Sequence, residues 1–215
     1  MKGLLLKDWY QVRTSMKAMC LTVAFVLVIW VFSTSNAYVF PVSYAAVFLG
    51  ILPINLLAYD HASGWTEYSF ALLLSKELQV AEKYLVGLLC TAVSAALNGI
   101  FCGILFWMGK PLPAMPIGLL LGAGAASILL INGIMLPLYY RFGAEKARML
   151  YMLMFAGMGA ALGGGAVMDE LQQNGTGSGP LPVPLWLAAV LLLAVLALYA
   201  VSWRVSVAWY GKYKK

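Results

Sequence analysis

The chain is written as long apolar runs separated by short polar breaks. Six runs stand out, at about 18–35, 39–58, 84–108, 117–139, 149–168 and 185–205. Each has roughly the 17–25 residues that a helix needs to cross a bilayer. Lipid offers no partner to free backbone groups, so the pattern predicts helical spans. The alternation over about ten residues that marks a membrane barrel is absent. The expected fold is all-α: one polytopic domain over residues 1–215 with six transmembrane helices.

Two polar stretches carry helical patterns of their own. Residues 1–17, MKGLLLKDWYQVRTSMK, mix Lys2, Lys7, Arg13 and Lys17 with Leu4, Leu5, Leu6, Trp9 and Tyr10. They predict an interfacial helix, with basic groups towards head groups and apolar groups towards acyl chains. Residues 59–83, YDHASGWTEYSFALLLSKELQVAEK, are too many for a plain link between two helices. Asp60 or Ser63 can cap a helix start there, and Glu67 falls near the first turn, where the helix dipole favours an acid. Trp65, Tyr68 and Leu72 follow at i, i+3 and i+7, on one helix face. Two readings stand: an amphipathic helix resting on the membrane, or a docking helix for a soluble partner.

Composition supports the membrane reading. At 63% hydrophobic and 10% charged, the chain lies far from the about 25% charged usual in soluble domains. Where the charges sit matters more than their net of +6. Of the 14 Lys and Arg, all but Lys110 fall on one side of the predicted spans. The positive-inside rule then puts both termini and residues 59–83 in the cytoplasm. No basic patch is interleaved with aromatics in a soluble segment, so membrane lipid is an expected partner and nucleic acid is not.

Catalytic patterns are missing. His61 is the one histidine, beside Asp60 but with no placed nucleophile. Cys20, Cys90 and Cys102 all lie in apolar runs and form neither a disulfide framework nor a metal set. GILFWMGK at 103–110 has five residues between its glycines and Pro111 after its lysine, so it is no phosphate loop. The chain is expected to hold no metal, cofactor or nucleotide and to be no enzyme. No charged residue lies deep in a predicted span, although ion-coupled transporters usually carry such groups. Asn55, Asn98 and Asn132 are the notable intramembrane polar residues, suited to inter-helix hydrogen bonds or to lining a path. Pro53 and Pro137 can kink their spans. Gly99/Gly103 and Gly118/Gly122 are small-xxx-small pairs. Energy for any uphill transport would therefore come from a partner.

Three stretches carry a family resemblance: MKGLLLKDWY, LGILPINLLAYDHASGWTEYSFALLLSKELQVAEKYL and MLPLYYRFGAEKARML. In these the chain resembles the permease subunits of bacterial ATP-binding-cassette exporters of the type-2 superfamily. It most resembles the small six-span permeases of phenol-soluble modulin exporters. The resemblance implies that residues 59–83 hold a cytoplasmic coupling helix gripped by a separate ABC ATPase, which binds the ATP and Mg. Asp60, Ser63, Trp65, Glu67, Tyr68 and Leu72 would be the coupling residues. It further implies that two permeases pair, as a homodimer or with a sister permease, in the bacterial cytoplasmic (inner) membrane. Charge-free walls suit an amphipathic or hydrophobic cargo, such as a membrane-active peptide. One departure is Leu73, which stands in the family's usual proline position and lets the coupling helix run on; Glu77 also replaces a common basic residue. A secondary or passive transporter and a non-transport membrane scaffold are the alternative functions.

Overall fold

The computed structural model describes residues 2–15, 17–32, 39–65, 68–69, 75–109, 117–172 and 185–210. The side chains of 2, 15, 19, 30, 39–43, 144, 145, 148, 151, 154–172 and 185–189 lie outside that description. The described residues form six helices and no strand. They are α1 (Lys2–Ser15), α2 (Lys17–Phe32), α3 (Val39–Ala62), α4 (Lys76–Trp107), α5 (Ile117–Gln172) and α6 (Leu185–Tyr210).

Four stretches are long and apolar enough to cross a membrane: Tyr44–Ala62, Lys76–Trp107, Ile117–Gly143 and Val190–Tyr210. A shorter apolar stretch, Cys20–Ile29, belongs to α2. The run at 149–168 is helical in its backbone, as the second part of α5.

Helix ends differ from the apolar pattern in an informative way. α3 continues past residue 58 to Ala62, and α4 starts at Lys76, eight residues before its apolar run. At about 1.5 Å per residue, the 24 residues of α3 span about 36 Å and the 32 of α4 about 48 Å. Both exceed the roughly 30 Å of a hydrocarbon core. Hydrophobicity marks where lipid begins, whereas backbone hydrogen bonding continues beyond it. The extra turns carry the charges, and together with α1 they make a polar layer at one end of the bundle, called the base below.

The fourth and fifth apolar runs are joined without a loop. α5 is interrupted at Gly143, whose φ of 81° and ψ of 175° lie outside helical space. Positive φ is cheap for glycine alone. One such residue breaks the ladder and lets 144–172 leave in a new direction.

α5 is the central post, packed along α6, α3 and α4. Far from the base, Val23 and Leu27 of α2 meet Ala45, Phe101, Cys102, Leu105 and Leu120. Nearer the base, Leu57, Val80, Tyr84, Leu129, Leu136, Tyr139, Tyr140 and Tyr199 form a second cluster. Leu5 and Val12 of α1 lean on a third, around Leu49, Leu52, Leu56, Val86 and Cys90. Lipid tails are as apolar as these side chains, so close fit rather than water exclusion must hold the spans together. Gly87 shows this closeness: a Cβ there would fall 2.5 Å from the Tyr199 hydroxyl. Among the described residues, the Gly99/Gly103 and Gly118/Gly122 pairs do not serve such contacts, since a Cβ at each would meet none of them within 4 Å.

Candidate functional site

At the base, α1, α3 and α4 bring five charged residues together. Lys83 Nζ donates to both Asp8 carboxylate oxygens at 2.8 Å and lies 2.7 Å from Asp60 Oδ2. Lys7 Nζ donates to the Asp60 oxygens at 2.7 and 2.8 Å and lies 3.2 Å from Asp8. Two ammonium groups and two carboxylates thus alternate in a closed ring. Glu82 stands at its edge, 3.7 Å from Lys83 and 3.9 Å from Lys7. Its Oε1 has no hydrogen-bond partner among the described residues.

Residues 76–83 precede the apolar run of α4, so the sequence pattern places this cluster before the lipid-facing part of the helix. It is dry nonetheless: Lys83 and Glu82 are each 2% exposed. Burial pushes the Glu82 carboxyl up to about 7, against the pull of Lys83; the Asp8 carboxylate raises it further. Burial works against the Lys83 ammonium, but Asp8, Glu82 and Asp60 outweigh it and hold its pKa above the ordinary lysine value. Charges taken out of water need this degree of pairing to be tolerated.

The ring overturns two sequence expectations. Lys7 does not reach for lipid head groups. On α1, Leu4 and Asp8 face inward, while Leu6, Trp9 and Tyr10 are exposed. The buried face of this helix thus carries the acid, and the exposed face carries the aromatics. Asp60 does not cap a helix start. It sits in the last turn of α3, 4% exposed, and its carboxylate is engaged by Lys7 and Lys83.

After Ala62 the chain reverses at Gly64, with φ 70°. Ser63 bonds back into α3, its amide to the Tyr59 carbonyl at 2.9 Å and its hydroxyl to the Asp60 carbonyl at 3.3 Å. The Tyr68 amide then donates to the Gly64 carbonyl at 3.1 Å, starting a new helical turn. Trp65 and Tyr68 lie on one side of that turn, ring centroids 5.6 Å apart. Lys7 Nζ lies 4.7 Å from the Trp65 ring centroid, a cation–π distance. Trp65 is half-buried, and Tyr68 is 57% exposed. Glu67 and Leu72 lie outside the described residues. Ser75 is extended, at φ −63° and ψ 139°, and starts α4. The coupling helix therefore does not run on through this point, despite Leu73.

A second tie lies on the other side of the segment. Ser69 is fully buried, and its hydroxyl donates to Gln79 Oε1 at 3.0 Å. The Tyr210 hydroxyl, at the end of α6, donates to the same oxygen. Tyr210 stands edge-on to Tyr140 with centroids 5.1 Å apart. Next to it, the Arg141 guanidinium lies 4.8 Å from the Trp209 ring.

Above the base, tyrosines and serines make inter-helix bonds. Tyr84 OH hydrogen-bonds with Ser202 and Ser206, both at 2.7 Å. Tyr199 OH donates to the Tyr84 carbonyl at 2.8 Å, and Tyr139 OH to the Leu57 carbonyl at 3.2 Å. Asn98 and Asn132 bond within their own helices, to Ser94 Oγ at 3.4 Å and to the Ile128 carbonyl at 3.0 Å. Their side-chain oxygens are buried without a hydrogen-bond partner among the described residues. Asn55 is half-buried. The signal that could have found the seam is Tyr199, Ser202 and Ser206, spaced at helical intervals along one face of an apolar span.

An all-helical bundle of membrane-crossing length, with a buried charge ring that fixes a polar turn at one end, defines an integral membrane protein. The chain belongs to the ABC-2 family transporter proteins, whose family model matches residues 3–211. It is thus a membrane permease component of an ABC transporter, a family that works with an ATPase partner. No curated protein and no solved structure matches the chain.

Proposed function

We propose that this chain is the permease of an exporter, with six spans and both termini in the cytoplasm of a bacterium. On this reading the base faces the cytoplasm, and the segment from Ser63 to Ser75 docks into a groove on a separate ABC ATPase. The observation that carries it is the Trp65–Tyr68 pair. Two aromatic rings lie together on a short helical turn that is tied on both sides, and Tyr68 remains exposed. Interfaces take much of their energy from such anchors, and a preorganised anchor loses less entropy on binding. The basic asymmetry of the sequence supports the orientation.

ATP and Mg act on the partner. Closure of two ATPases pushes the docking segments of two permeases, a homodimer or a pair with a sister permease, and switches the path outward. The scarcity of charge in the spans suits an amphipathic or hydrophobic cargo, because a highly charged solute would be poorly solvated there. The resemblance to phenol-soluble modulin exporters points to a membrane-active peptide. The whole chain acts as one transmembrane domain. Co-expression with a candidate ABC ATPase from the same genome tests the reading: the two should co-purify, and the complex should hydrolyse ATP. A permease that transports in vesicles without any ATPase would overturn it.

A further inference from the structure

The docking segment is covalently continuous with α3 and α4, but α6 follows more than a hundred residues later. The base nevertheless joins them. Gln79 Oε1 has two lone pairs and accepts from two hydroxyls, Ser69 of the segment and Tyr210 of α6. Ser69 is fully buried and Gln79 nearly so. The three side chains thus meet at one buried oxygen, which joins the segment, α4 and α6. The Tyr210 ring is further fixed edge-on to Tyr140, three residues before the Gly143 break.

We infer that Tyr210 is a positioning residue for coupling: through Gln79 and Ser69 it ties the last span to the docking segment, so that a push on the segment moves α6 directly. The inference rests on the docking reading. α6 packs along α5 more extensively than along any other helix, so its displacement is carried into the central post. The segment is thereby held by the first helix through Lys7 and by the last through Tyr210.

The test uses the co-purified permease–ATPase complex. A bimane probe is placed on α6 at Leu191→Cys, an exposed position far from the base, in a background without Cys20, Cys90 and Cys102. ATP should change the bimane emission of the parent complex. Tyr210→Phe keeps the ring and removes the hydroxyl. It should lower the ATP-driven change at least threefold, with unchanged ATPase co-purification and basal ATP turnover. Ser69→Ala cuts the relay at its other end and should give the same loss, and the double variant should lose no more than either. An undiminished response in Tyr210→Phe and Ser69→Ala overturns the tie and leaves docking intact. Losses that add in the double variant overturn the relay, since independent packing defects add. Failure of the parent permease to hold the ATPase overturns the docking reading and the tie with it.

Discussion

Lys83 and Asp8 are 75 residues apart in sequence and joined by two hydrogen bonds of 2.8 Å. The pair fixes the amino-terminal helix to the start of α4, and Asp60 and Lys7 close the ring around it. The segment that follows Ala62 leaves α3 directly from this ring. Its position is therefore set by buried charge pairing as much as by the packing of the apolar helices.

Breaking the ring on one side should cost far more than dissolving it. Lys83→Met leaves Asp8 and Asp60 short of a buried counter-charge, for which about 3–5 kcal/mol is expected. The thermal unfolding midpoint in detergent should fall accordingly. Combining Lys83→Met with Asp8→Leu should recover part of that loss. A double variant no better than Lys83→Met alone would show that the pair acts independently.

Glu82 should make stability depend on pH near neutrality. Its folded pKa of about 7 stands above the ordinary 4.5, so the folded state favours the neutral acid. The resulting stabilisation is complete below pH 4.5 and is lost as pH rises through 7. Between pH 6 and pH 8 the loss is about 1 kcal/mol. Glu82→Gln should flatten this slope and unfold at a higher temperature than the parent at pH 8. Unfolding curves across that range check it, and an unchanged slope in Glu82→Gln would assign the dependence elsewhere.

The docking face makes its own prediction. Trp65→Ala with Tyr68→Ala should detach or uncouple the ATPase, because buried aromatic anchors commonly cost about 2 kcal/mol or more. Glu67→Ala should do much less. A helix that merely rests on lipid would keep its ATPase and its transport rate in the double variant. Co-purification and ATP turnover, compared in one detergent, separate the two outcomes.

Orientation is open to labelling in intact cells. With the three native cysteines removed, new cysteines at Ser63, Ala144 and Ser178 probe three breaks between apolar runs. A membrane-impermeant thiol reagent should reach position 178 alone. Reaction at 63 or 144 from outside would reverse the topology.

Gly87 should not tolerate a side chain. Gly87→Ala would drive a methyl group against the Tyr199 hydroxyl and displace its bond to the Tyr84 carbonyl. Overpacking of this kind typically costs about 1–3 kcal/mol. Gly99→Ala, where the structure leaves open space, should be near neutral in the same unfolding assay.

The sequence by itself determined the helical membrane fold, because twenty apolar residues in a row have few other ways to satisfy their backbone. It also marked residues 59–83 as the place to look, since charge is conspicuous where charge is scarce. It could not decide what those charges do. Lys7 read as facing head groups and Asp60 as a helix cap, yet the tertiary structure turns both towards Lys83. Periodicity reports which face of a helix is apolar, and on α1 the acid-bearing face is the buried one. The hydroxyl seam escaped for a related reason. Tyr84 and Ser206 lie 122 residues apart, and only the packing of α4 against α6 brings one opposite the other. Local pattern is set by neighbours along the chain, whereas pairing of buried charges and hydroxyls is set by neighbours in space.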